Sequence, residues 1–142
     1  LAGFSTDSRE AARQYALHLG TAYQIYDDAA DIFGEELLAG KTLGTDLATG
    51  KLTLPILLWL ENLDSCQRAS VLADLQSGRL ESSGLRETLL QAQILEPVRA
   101  AFFERIQSAR AGLPDIPSAF RRDLLDCLAG FLESAWNKFS IR

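Results

Sequence analysis

The chain has 142 residues, 47% of them hydrophobic, with 14 Lys or Arg against 19 Asp or Glu and a formal charge of −5. That length suits one domain with a sizeable core and no disulfide framework. The acidic balance, without any Lys/Arg cluster, argues against a nucleic-acid surface, which needs a concentrated basic patch. Cys66 and Cys127 lie far apart with no CxxC spacing, which argues against zinc and dithiol chemistry. Both are expected as small core residues in a reducing compartment. His18 has no second His or Cys near it and is expected to be structural or at the surface. The chain begins at Leu1 and contains no Met, so it reads as a piece cut from something longer.

Taken in order, the pattern is helical almost throughout. Ser8 is placed to cap a first helix through "REAARQYALHLGTAYQIYDDAADIFG", with Gly34 as its stop. At 1.5 Å per residue this element spans about 40 Å, a length that belongs to a helical bundle. Glu35 to Lys51, "EELLAGKTLGTDLATGK", reads as an extended loop holding Gly40, Gly44 and Gly50, long enough to imply a function. Pro55 is suited to the first turn of the next helix, "PILLWLENL", because a first-turn proline loses no helical hydrogen bond. Further helices are expected at about Ser65 to Gln76, Gly84 to Leu95, Pro97 to Leu113 and Pro117 to Phe139. In the last, Phe120, Leu124, Leu128, Phe131 and Leu132 recur at helical spacing and are expected to be core. No signal peptide is visible, and the apolar run Leu52 to Leu60 is far short of the roughly 20 residues that cross a bilayer. The chain therefore reads as cytoplasmic.

The chemistry concentrates in "YQIYDDAADIFG", Tyr23 to Gly34. On a helix, Gln24, Asp27, Asp28 and Asp31 fall within an arc of roughly 100° and share one face. Three carboxylates within two turns repel one another, and water is their simplest partner, giving a solvated acidic stripe. The neighbours Tyr23, Ile25, Ala29, Ala30 and Ile32 are apolar for a freely exposed helix, which points instead to a polar cavity and a hard divalent cation. Mg²⁺ suits it better than Ca²⁺, because Mg²⁺ keeps waters, takes one or two carboxylates and leaves room for substrate phosphate. An EF-hand is excluded, since Ile32 stands where the loop needs Gly. In the glycine loop, Lys41 and Lys51 are cations for a metal-bound diphosphate, and the glycines allow close backbone approach. "GEELLAGKT" is not a P-loop: five residues separate Gly34 and Gly40 where the pattern needs four, and a helix precedes them.

On these residues, Gly20 to Leu58 resembles the second aspartate-rich region of the trans-isoprenyl diphosphate synthases, the polyprenyl synthetase family. The family pattern is approximately FQ, two residues, DDxxD, then GK, Gly, Asp, GK and TLP. Tyr23, Gln24, Asp27, Asp28, Asp31, Gly40, Lys41, Gly44, Asp46, Gly50, Lys51, Thr53, Leu54 and Pro55 match it in order, with Tyr23 for the usual Phe. "ILEPVRAAFFERIQSARAGLPDIPSAFRRDLLDCLAGFLESAW" is similar to the family's closing helices.

The resemblance implies an all-α helical bundle, the carboxy-terminal part of the isoprenoid synthase fold. It also implies that residues 1–142 form a single helical domain, the carboxy-terminal half of a larger synthase domain. The implied reaction is Mg²⁺-dependent head-to-tail condensation of isopentenyl diphosphate with an allylic diphosphate. By match, Asp27 is the candidate for direct Mg²⁺ ligation, and Asp28 and Asp31 for ligation or orientation of its waters. Lys41 matches the lysine that holds the allylic diphosphate, Lys51 a second diphosphate-facing lysine, and Gln24 a polar group near the reacting centre. Family members are usually homodimers. Three family features are not found in this sequence: a first aspartate-rich motif, the arginines for isopentenyl diphosphate, and a Lys-Thr pair. A non-catalytic helical subunit that binds diphosphate with a partner chain is thus the second reading, and a terpene cyclase relative the third.

Overall fold

A computed structural model describes residues 5–34, 49–79, 82–113 and 118–140. Among the described residues there are six helices and no strand: α1 (Thr6–Phe33), α2 (Leu54–Glu61), α3 (Ser65–Gln76), α4 (Ser82–Gln91), α5 (Leu95–Ala111) and α6 (Ala119–Ser140). The all-α class expected from the sequence is borne out. Gly40, Lys41, Gly44 and Asp46 lie outside the described residues.

The helix ends follow local chemistry, with corrections. Ser5, not Ser8, caps α1: the Ser8 N–H donates to Ser5 Oγ at 3.1 Å, and the Arg9 N–H to the Ser5 carbonyl at 3.1 Å. Starting a turn earlier brings Asp7 into the first turn, where negative charge is favoured. Helix α3 matches its expected ends because both are written in side chains. Asp64 accepts from the Gln67 N–H at 2.8 Å and the Gln67 side chain accepts from the Asp64 N–H at 3.2 Å, a reciprocal cap. Gly78, at φ 65°, closes the far end, with the Arg79 N–H on the Asp74 carbonyl at 3.0 Å. Helix α4 stops short of the expected Leu95 because Gln93 takes φ 56° and makes the same closure without glycine. There the Ile94 N–H reaches the Leu89 carbonyl at 3.0 Å and the Gln93 N–H the Leu90 carbonyl at 3.0 Å.

The chain divides into two compact units, Leu1–Gln24 with Ala101–Arg142, and Ile25–Ala100. In the first, Tyr15, Ala109 and Leu113 form a buried cluster with Ala11, Leu19 and Leu125 against it, and the Tyr15 hydroxyl donates to the Leu125 carbonyl. Burial, then the Asp126 carboxylate, pushes the Tyr15 phenol up from its ordinary value. Phe102 stacks on the fully buried Trp136 with ring centroids 4.5 Å apart. Arg110 reaches from α5 to α6, its Nε donating to Asp126 at 2.6 Å and its two terminal nitrogens to Glu133 at 2.6 and 2.9 Å.

The second unit is built on Ile56, Trp59, Leu85, Leu89, Ile94 and Val98, all buried. Arg68 Nε donates to the Leu60 carbonyl at 2.9 Å, placing a cation at the end of α2 where carbonyls lack helical partners.

Two expectations about burial are overturned. Leu124, Leu128 and Phe131 are exposed, Phe131 by 74%, while Ala129, Leu132 and Trp136 carry the buried face of α6. Two apolar stripes run along that helix, and helical spacing alone does not say which one faces inward. Cys66 and Cys127 are free and exposed, not core, because each falls on the outward side of its helix. Among the described residues no helix is long and apolar enough to cross a membrane.

Candidate functional site

The site begins on the last two turns of α1, in the Ile25–Ala100 unit. Apolar residues at Ile25, Ala29, Ala30, Ile32 and Phe33 bury this stretch, and the helical register carries acidic side chains inward with them. Asp28 is 6% and Asp31 3% exposed. Asp27 is half-buried and Gln24 is exposed. A freely solvated stripe therefore does not describe the two buried carboxylates, whose loss of hydration must be offset locally.

Lys51 supplies part of the offset. Its Nζ donates to Asp28 Oδ1 at 3.0 Å, with the lysine side chain 44% exposed and that of Asp28 only 9%. The approach depends on a turn. Gly50 takes φ 70°, which an L side chain adopts only with strain, and Lys51 to Thr53 then run straight into α2. Thr53 stands at the N-cap of α2 with extended backbone and is 1% exposed. Its Oγ1 makes no capping bond and, among the described residues, has no hydrogen-bond partner. Pro55 in the first turn removes one N–H that such a cap would serve.

The structure thus brings Lys51 to Asp28, with Asp31 buried three residues on. Lys41 lies outside the described residues. Sequence reasoning did not foresee the pairing of Lys51 with Asp28, 23 positions apart. It also passed over Arg86, whose guanidinium reaches the Phe33 carbonyl at 3.5 Å near the end of α1. No sequence signal marks that contact, because it spans 53 positions. The TLP segment did draw attention to Thr53, but not to its burial.

Among the described residues, no group of three or more His, Cys, Asp or Glu side chains is placed to hold a metal ion. Asp27, Asp28 and Asp31 do not form a closed protein cage. The donors present are hard carboxylate oxygens, with Asp28 and Asp31 buried and Asp28 paired with an ammonium. They fit a cation that takes one or two carboxylates and keeps its waters, as Mg²⁺ does, and not a soft metal.

Comparison with known proteins identifies the family of the chain. Over 133 residues the chain is 31% identical to octaprenyl diphosphate synthase of Escherichia coli, covering 91% of this chain and 41% of that protein. It is 28% identical over 134 residues to a short chain isoprenyl diphosphate synthase of Methanothermobacter thermautotrophicus, covering 93% of this chain and 41% of the relative. A short chain isoprenyl diphosphate synthase of Methanocaldococcus jannaschii is 30% identical over 97 residues, 68% of this chain and 29% of the relative. The chain thus spans well under half the length of these curated relatives. No solved structure matches. The Polyprenyl synthetase family model matches residues 1–91, a span that holds the whole of α1, Lys51 and Thr53. By that match, the chain belongs to the polyprenyl synthetase family.

Proposed function

We propose that this chain carries the second aspartate-rich half of the active site of a prenyltransferase of isoprenoid biosynthesis. That enzyme condenses isopentenyl diphosphate head-to-tail with an allylic diphosphate. The observation that carries the reading is the contact of Lys51 with the buried Asp28 inside the DDxxD motif of a polyprenyl synthetase. A surface decoration of acids would not be held in apolar surroundings with a cation set against it.

Asp27, with Asp28 and Asp31, would hold Mg²⁺. When bound, the ion supplies positive charge to the diphosphate leaving group, whose separation from carbon is the expensive step. Lys51, half-exposed at the edge of the carboxylates, presents a mobile ammonium to the same group. Lys41 is proposed to hold the allylic diphosphate from the loop, and Gln24 to lie near the reacting centre. The buried side of α1 keeps water from the carboxylates on that face, which strengthens their field. The working assembly is proposed to be a cytoplasmic homodimer.

The isolated 142-residue chain is expected to be inactive, so the test is incubation of the intact protein that contains it with labelled isopentenyl diphosphate and an allylic diphosphate, with and without Mg²⁺. The product should be longer by one isoprene unit, Mg²⁺ should be required, and Asp27→Ala should lower turnover by at least about a hundredfold with its melting curve unchanged. Full turnover in Asp27→Ala would remove the metal role.

A second reading is a non-catalytic diphosphate-binding module completed by a partner chain. It is motivated by the sequence holding one aspartate-rich motif, Asp27 to Asp31, where the family pattern has two. Calorimetric binding of an allylic diphosphate with Mg²⁺, lost in Lys41→Ala and unaccompanied by turnover, would select it.

A further inference from the structure

Lys51 occupies Asp28 Oδ1 at 3.0 Å, and that oxygen belongs to a side chain only 9% exposed. A Mg²⁺ ligand oxygen sits about 2.1 Å from its ion. An ammonium and a divalent cation on one buried carboxylate oxygen would then lie within a few ångströms of each other, at a spot with little water to screen them.

The two cations therefore compete, and the side chains show which one can leave. Asp28 is fixed on a helix. Lys51 hangs on a flexible four-carbon stem with 44% of its side chain in solvent, just past the Gly50 turn. A diphosphate offers the ammonium several charged oxygens, and charge-assisted bonds to phosphate are among the strongest a lysine makes.

We propose that Lys51 is a resident counter-ion that keeps Asp28 closed to metal until a diphosphate draws the ammonium away, so that metal ion and diphosphate enter the site coupled. This rests on the metal and diphosphate reading above. The device has a clear use. With no substrate, a pair of buried carboxylates is neutralised in part by the chain itself, and a metal ion without diphosphate is held weakly. With diphosphate present, the same lysine changes partner, frees an oxygen for the metal and stays to neutralise the leaving group. By linkage, whatever diphosphate does to metal affinity, metal does equally to diphosphate affinity.

The experiment is a titration of the protein with Mn²⁺, followed by the loss of its free-ion electron paramagnetic resonance signal, with and without inorganic pyrophosphate. The wild type is compared with Lys51→Met, Lys51→Gln and Arg86→Met. Complexes of Mn²⁺ with pyrophosphate in solution are common to all four and cancel in the ratios.

Without pyrophosphate, both Lys51 variants should bind Mn²⁺ about three- to tenfold more tightly than wild type. With pyrophosphate, the gain in Mn²⁺ affinity should be smaller in the Lys51 variants than in wild type. A role confined to packing would not move these two quantities in opposite directions. Arg86→Met removes a neighbouring charge that rests on the Phe33 carbonyl instead of a carboxylate, and should change Mn²⁺ affinity less than about twofold.

Cooperative binding of Mn²⁺ and pyrophosphate that the Lys51 variants leave unaltered would overturn the hand-over while keeping the metal and diphosphate reading. An Arg86→Met effect equal to that of Lys51→Met would also overturn it, by showing a general field instead of a contact. Failure of wild type and variants alike to bind Mn²⁺ with pyrophosphate would sink both. Circular dichroism melts of each variant establish that the proteins compared are folded.

Discussion

Arg110 and Lys51 both place a cation on acidic side chains, yet their surroundings are built in opposite proportion. Arg110 uses its fork on two carboxylates, Asp126 and Glu133, so that one cation is saturated by acids reaching from a second helix. Those acids, Glu133 first, raise the Arg110 pKa above its ordinary value. Lys51 has the reverse setting: a half-exposed ammonium set on the buried carboxylate of Asp28. A guanidinium fork commits to a fixed partner geometry, whereas an ammonium on a long stem can change partners. The first arrangement ties helices together, and the second holds charge ready for exchange.

The largest effect expected from breaking this contrast is on chemistry. Asp28→Asn should lower turnover by at least about a hundredfold, yet change unfolding free energy by no more than about 1 kcal/mol, because its partner is half-exposed and screened. Turnover assays beside urea denaturation would show both halves of that statement. Arg110→Ala should do the converse. It should cost about 1–3 kcal/mol in urea denaturation through loss of a doubly paired cation, with turnover per folded molecule intact.

Two smaller tests separate charge from chain geometry. Gln93→Gly relieves a side chain held at positive φ and should stabilise the fold by about 0.5–1 kcal/mol, read as a raised urea midpoint. Glu10 is an exposed acid whose hydrogen bonds to Arg13, then Gln14, hold its pKa down at about 2. Its folded pKa lies below the unfolded value. Its contribution is therefore complete above about pH 4.5 and disappears as pH falls toward 2. Glu10→Gln should flatten the acid limb of the stability curve in that window, a small change for a fully solvated pair.

Legibility followed the range of the interactions. The acidic face of α1 could be read because its spacing is local to two helical turns, and α3 because Asp64, Gln67 and Gly78 write both ends in short-range chemistry. The end of α4 could not, since Gln93 adopts a conformation the sequence signals only through Gly or Asn. The outward turn of Leu124, Leu128 and Phe131 was hidden for another reason: periodicity finds an apolar stripe but not the neighbour that covers it. The bond between Lys51 and Asp28 needed a turn at Gly50 to bring distant residues together, so the motif named both members without revealing their contact.

The two tryptophans of the chain fall one in each compact unit, Trp59 in one and Trp136 in the other, and both are buried. Each unit consequently owns an intrinsic fluorophore whose emission shifts to the red when its surroundings become wet. Trp59→Phe leaves an optical reporter for one unit and Trp136→Phe for the other. Coincident or separate denaturation curves from that pair would say whether the halves of this chain melt as one cooperative body or as two.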